Sequence, residues 1–117
     1  MKQFETGVKG EAQAEKYLTE RGMTCVARRF RGLDGEIDLI MLDGDTVVIT
    51  EVKYRPGSHR GAGLLAVTPA KQLRMLHAAQ AFLTQREWTD RPVRFDVVEI
   101  SADGLFHLPN AFIPGWR

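Results

Sequence analysis

The chain has 117 residues, 44% of them hydrophobic and 26% charged, with 16 basic against 15 acidic side chains and a formal net charge of +1. That length is one ordinary domain and too short for two, and the composition excludes disordered and fibrous classes. No uninterrupted apolar run exceeds four residues (Leu64 to Val67), which leaves no bilayer span and no signal-peptide core; near-neutrality excludes nucleic-acid binding by bulk charge but not by a local patch.

In chain order, residues from about Phe4 to Arg21 read as a helix, with Gly22 as its C-terminal cap. Val8, Ala12, Ala14 and Leu18 form its apolar arc, opposite Lys9, Gln13, Lys16 and Glu20. Glu11 falls inside that arc and Glu15 beside it. An inward carboxylate is costly unless paired, so each either meets an arginine, reaches water at an edge, or serves a site. Met23 to Phe30 reads as a first strand. It holds Cys25, the single cysteine, which rules out an internal disulfide and suits a reducing cytoplasm. Arg28, Arg29 and Arg31 then crowd together, either as solvated surface or as phosphate contacts.

Glu36 to Leu42 and Thr46 to Lys53 read as two strands joined through Asp43-Gly44, a strong hairpin signal. With Asp43-Gly44 as a two-residue turn, Leu42 pairs with Asp45, Asp38 lies opposite Ile49, and Glu36 opposite Glu51. Alternation then puts Glu36, Asp38, Glu51 and Lys53 on one face, with Asp38 and Glu51 diagonal neighbours at roughly 7 Å or less. Tyr54 to Val67 is a basic, glycine-containing loop with Arg55, His59 and Arg60, expected to be flexible. Its Gly61-Ala62-Gly63-Leu64-Leu65-Ala66 fits GxGxxA in form. The preceding strand ends too early and the next helix starts too late for a dinucleotide turn.

Thr68 caps a second long helix with Pro69 at its first position, running to about Arg86. Leu73, Met75, Leu76, Ala79, Phe82 and Leu83 make its core arc, while Lys71 and Arg74 emerge near its anion-favouring N-terminus. Val93 to Ile100 is a fourth strand, and Asp103-Gly104 turns into a segment ending at Leu108. His59, His77 and His107 lack zinc spacing and read as ordinary histidines. The tail from Asn110 carries Phe112, Ile113 and Trp116, for packing or a subunit contact. The order α-β-β-β-α-β-β describes an α/β domain, a mixed central sheet flanked by helices.

Carboxylates gathered on one sheet face repel unless a cation intervenes, and a hard divalent ion with oxygen ligands is the natural remedy. A lysine about 6.6 Å further along that face can reach its water or a phosphate. Together they suit phosphodiester hydrolysis. A bare ExK tripeptide, by contrast, recurs by chance as a solvated ion pair.

Gly35-Glu36-Ile37-Asp38-Leu39-Ile40 followed by Glu51-Val52-Lys53-Tyr54-Arg55 resembles the YraN-like family of small bacterial proteins. That family in turn resembles PD-(D/E)xK nucleases of the restriction-endonuclease-like fold, especially Holliday junction resolvases. The match continues through Gly10-Glu11, Ala14, Tyr17-Leu18, Lys71, Ala78, Arg94-Phe95-Asp96-Val97-Val98 and His107 to Phe112. The resemblance implies a metal-dependent DNA endonuclease using Mg²⁺ or Mn²⁺. Asp38 and Glu51 would be metal ligands, with the Val52 carbonyl completing the set. Lys53 would be the catalytic lysine, Glu11 the helix acid near the metal, and Glu36 a supporting motif residue. Ile37 stands where the superfamily motif has its proline, a residue that many members of the wider superfamily also lack. Arg29, Arg31, Arg55, His59, Arg60, Lys71 and Arg74 are the candidate nucleic-acid contacts. Branched DNA is the implied substrate, and a two-fold homodimer would suit paired cuts. The competing expectations are a non-catalytic nucleic-acid-binding module on the same fold and an interaction domain without any nucleic-acid role.

Overall fold

A computed structural model describes residues 2–114, with side chains from residue 9 onward; the side chain of Val8 and the whole of Trp116 lie outside the described residues. The elements are α1 (Lys2–Glu20), β1 (Thr24–Arg31), β2 (Glu36–Asp43), β3 (Thr46–Arg55), α2 (Ala62–Leu65), α3 (Pro69–Arg86), β4 (Val93–Ser101) and β5 (Gly104–Phe112). The strands lie in the order β1-β2-β3-β4-β5. β3 and β4 are parallel, joined by the α2–α3 crossover, and the other pairs are antiparallel. This is the expected α/β architecture, and it is consistent with a restriction-endonuclease-like fold. Among the described residues no helix is long and apolar enough to cross a membrane.

Helix ends follow their local chemistry. Gly22, at φ +97°, closes α1 as its N–H donates to the Thr19 carbonyl at 3.0 Å and the Met23 N–H to Leu18 at 3.2 Å. Thr68 Oγ1 accepts the Lys71 N–H at 3.2 Å at the start of α3, and Pro69 occupies the first turn. The α1 face buries Ala14 and Leu18 on Leu39, Met41, Val48 and Val98. The other sheet face buries Ile40, Val47, Ile49 and Val97 beneath Met75, Ala78, Ala79 and Phe82 of α3. Each fully buried side chain of this size contributes about 2 kcal/mol. Two core expectations fail: Ala12 is exposed and Leu73 is 38% exposed, because at 100° per residue each lies on the far side of its helix from the buried stripe.

The segment expected as a loop after Lys53 is more ordered than its glycines imply. β3 runs on to Arg55, and the short α2 follows. β5 likewise extends past Leu108 to Phe112, skipping register opposite Asp96. The fully buried Asp96 accepts the Asn110 N–H at 2.8 Å and bonds Arg94 Nε at 3.1 Å and His107 Nε2 at 2.8 Å. Burial opposes its ionisation, but the donors from His107, Asn110 and Arg94 win and hold its carboxyl below the usual range. His107 is therefore a core partner, as expected of an ordinary histidine.

Candidate active site

The β2–β3 turn is Gly44-Asp45, with Asp43 paired to Thr46 and Leu42 to Val47. The expected Leu42–Asp45 pairing is therefore off by two residues. Gly44 has φ +62° at the first central position and Asp45 is not in the left-handed region, which fits a type II′ turn. A shift of two preserves side-chain faces but moves partners: on this register Asp38 comes directly opposite Glu51, not diagonal to it. The ladder stops one step short, at Leu39–Thr50. Beyond it the Asp38 carboxylate takes the place of a strand partner, its Oδ2 accepting the Val52 N–H at 2.8 Å.

Side-chain alternation also breaks here. Ile37 and Ile40 both pack in the cluster beneath α3, although strict alternation would separate them. Phe30, paired with Ile37, packs in the same cluster; the intervening Arg29 has φ +52°. Asp38 thus sits at the break, between the helix layers. It touches Glu51 on the adjoining strand and Glu11 from α1. Glu36 does not join Glu51: it bonds Arg31 at 3.3 Å at the outer rim and acts on Glu11 by its charge. The expected four-residue face is divided.

Burial first, and then the charge of Glu51, pushes the Asp38 carboxyl up to about 8. Glu51 is nearly inaccessible, its side chain 5% exposed, with Lys53 Nζ 3.1 Å from Oε2. Its Oε1 is buried without a conventional donor, since Lys71 Nζ stands 3.8 Å away. With its carboxyl raised this far, Asp38 keeps its proton at neutral pH, which spares the site a second buried negative charge. Glu11 bonds Arg29 Nε at 2.8 Å, yet burial still raises its carboxyl, with Glu36 adding to the effect. Glu15 pairs with Arg28 at 2.6 Å, so both helix acids meet an arginine.

Among the described residues no three His, Cys, Asp or Glu side chains form a ready-made metal cage. Two opposed carboxylates, one with an unsatisfied buried oxygen, nonetheless fit Mg²⁺ or Mn²⁺. Such ions take one or two protein carboxylates and keep water and phosphate as further ligands.

Lys53 is held from behind. It is paired in register with Glu99 of β4, and Gly63 of α2 lies directly against it. A Cβ at Gly63 would come 2.7 Å from Lys53 Cβ and 2.9 Å from Glu99 Oε2. Gly63→Ala is therefore expected to cost about 1–3 kcal/mol in urea unfolding, since neither neighbour is a freely swinging tip. Gly61 and Gly63 N–H groups both point to the Glu99 carboxylate, so the GxGxxA segment is occupied by the protein's own anion.

The basic candidates divide. Arg29 and Lys71 lie inside the carboxylate cluster. Arg31 and Arg74 stand exposed near it, on β1 and α3. Arg55 is exposed at the end of β3 and His59 and Arg60 just beyond it, where Arg60 stacks 4.1 Å above Phe106 and its N–H donates to Asp103. Sequence reasoning missed Glu99 as a positioning group and Lys71 as a partner of Glu51. A charge inside the apolar run Phe95 to Ile100 was the available signal for Glu99.

Residues 10–100 match the family described as "Uncharacterised protein family UPF0102". A UPF0102 protein of Herminiimonas arsenicoxydans is 44% identical over 105 residues, covering 90% of this chain and 84% of the relative. One from Bordetella avium is 41% identical over 108 residues, covering 92% and 74%. One from Yersinia enterocolitica is 43% identical over 114 residues, covering 96% and 97%.

Proposed function

This chain belongs to the UPF0102 family, and we propose that it is a metal-dependent endonuclease that hydrolyses phosphodiester bonds in DNA, with branched DNA the favoured class. The observation that carries this reading is the opposed pair of half-buried Asp38 and buried Glu51, with Glu51 Oε1 unsatisfied and Lys53 bonded to the same carboxylate. Two acidic groups held this close in a shielded site cost stability, and a divalent ion is what such a pair is suited to hold.

Asp38 and Glu51 would hold Mg²⁺ or Mn²⁺, with the Val52 carbonyl as a further ligand by family resemblance. The bound ion would neutralise the phosphate and acidify a water. Lys53, fixed between Glu51 and the Gly63 backbone, keeps its ammonium where it can orient the attacking water and offset charge growing on the phosphoryl oxygens. Lys71, at the start of α3, presents a second cation from the opposite side of Glu51. Arg31 and Arg74 offer contacts for flanking phosphates. Hydrolysis would leave a 5′-phosphate and a 3′-hydroxyl, as in the nucleases the motif resembles. A two-fold homodimer would set two such clefts for paired cuts.

The test is cleavage of end-labelled four-way junction, linear duplex and single-stranded DNA with Mn²⁺, using wild type and Lys53→Met, with EDTA as control. Wild type is expected to cut, junction fastest. Lys53→Met should lose about 10²–10³-fold in rate while retaining Mn²⁺ binding by calorimetry. DNA binding without cutting or metal binding would instead identify a non-catalytic nucleic-acid module. No salt-dependent DNA binding would remove nucleic acid from its role altogether.

A further inference from the structure

The turn between β1 and β2 carries a leucine that the core does not use. Leu33 is fully exposed, at 107% of its reference area. Its mount is rigid. The Gly32 N–H donates to the Gly35 carbonyl at 2.8 Å, and both glycines lie against α3. A Cβ on Gly32 would come 3.0 Å from Ala78 Cα, and one on Gly35 2.8 Å from the Arg74 carbonyl oxygen. Asp34 is tied to the same helix through His77 Nδ1 at 2.9 Å. Three of the four tip residues are thus spent on fixing the turn, and the fourth is an apolar side chain held in water.

Leu33 stands between two shallow hollows of about 320 Å³ each, one lined with Arg31, Gly32, Gly35 and Glu36, the other with Asp34, His77 and Ala81. Two arginines stand beside it: Arg31, 82% exposed and paired with Glu36, and the exposed Arg74 of α3. The tip is five residues from Asp38, which bounds the separation at about 17 Å of extended strand, or about five base steps of duplex.

We propose that Leu33 is a wedge that enters DNA where base stacking is interrupted, within about five base steps of the phosphate held by the acidic cleft. The inference rests on the nuclease reading and deepens it. Apolar side chains inserted between base steps unstack them, and the cost is least where stacking is already broken. The wedge therefore selects flaps, branches and frayed ends over continuous duplex, while Arg31 and Arg74 hold the adjoining phosphates.

The test compares wild type, Leu33→Ala and Leu33→Phe on a flapped duplex and a continuous duplex of the same sequence, with 2-aminopurine at the branch. Affinity is read by fluorescence anisotropy and unstacking by 2-aminopurine emission. Wild type should prefer the flapped duplex by about tenfold and brighten the probe, Leu33→Phe should retain both, and Leu33→Ala should fall to near parity. Unchanged thermal unfolding in both variants is part of the expectation, because the side chain is not buried. Equal preference in wild type and Leu33→Ala would overturn the wedge and leave the nuclease intact. Failure of wild type to bind or cut any DNA would overturn both. A dimer that becomes monomeric in Leu33→Ala, with DNA preference unchanged, would overturn the wedge in favour of a contact with a second copy.

Discussion

Asp38→Asn is expected to abolish cleavage, by about a thousandfold or more, while making the metal-free protein more stable. The two effects share one origin. Asp38 lies where β2 and β3 part, opposite Glu51, and burial together with that neighbour raises its carboxyl to about 8. In the unfolded chain the same group ionises near pH 3.9. Between those values the folded state keeps a proton that the unfolded state has released, so stability falls as pH rises from about 4 to about 8. The asparagine has no proton to lose and lacks this slope. Urea unfolding in EDTA should show a gap between variant and wild type that widens with pH, reaching the order of 3–5 kcal/mol by pH 8.5. Mn²⁺ should raise the wild-type midpoint more than the variant's, because the asparagine replaces one of two anionic ligands with a neutral oxygen and leaves Glu51 as the only charged one. A gap independent of pH would mean that the pair carries no such repulsion. The stability given up at pH 7 is then a cost of keeping a functional site.

Glu99→Ala should produce the largest loss of stability, about 4 kcal/mol of a total that is typically 5–15 for such a domain. Glu99 is fully buried on β4, and its carboxylate accepts the Gly63 N–H at 2.6 Å and the Gly61 N–H at 2.7 Å. Bonds to a buried charge contribute about 1.5–3 kcal/mol each, and their loss leaves two N–H groups without their acceptor. Glu99→Gln, which keeps one acceptor oxygen, should lose about half as much. The segment it anchors is otherwise held at its outer end, where the Ala102 N–H donates to Ser58 and the Arg60 N–H to Asp103. Hydrogen exchange at residues 61–66 should accelerate in both variants, with exchange in the β2–β3 ladder changing only as global stability does. Cleavage should also fall, since Gly63 is the wall behind Lys53, whereas metal affinity should not. Protected amides at 61–66 in Glu99→Ala would refute the clamp.

Much of this fold was legible along the chain because its signals are local. Gly22 and Thr68-Pro69 act through the conformations of a few adjacent residues, and the structure uses each as its chemistry dictates; the β4–β5 turn falls one residue earlier than expected, at Ala102-Asp103, with Gly104 opening β5 at φ +108°. The inward position of Glu11 was legible from helical periodicity alone, and so was its need for a partner, met by Arg29. Residues far apart in sequence were harder. Neither Lys71 nor Glu99 has any local pattern that names its partner, because each meets it only after the α2–α3 crossover brings β4 beside β3.

The hairpin divides the two kinds of information most sharply. By itself the sequence determined that β2 and β3 form an antiparallel pair carrying Asp38 on one strand and Glu51 and Lys53 on the other, since period-two patterning and the Asp43-Gly44-Asp45 turn residues are local properties. Tertiary structure alone decided that the turn is Gly44-Asp45, that Asp38 faces Glu51 directly, and that Glu36 goes elsewhere. The physical reason is that a two-residue slip leaves every side chain on its own face, so hydrophobic patterning cannot distinguish the registers. Packing can: with Phe30 and Ile37 drawn beneath α3 and Glu11 held to Arg29 over α1, the ladder ends at Leu39–Thr50 and Asp38 is left to take the Val52 N–H.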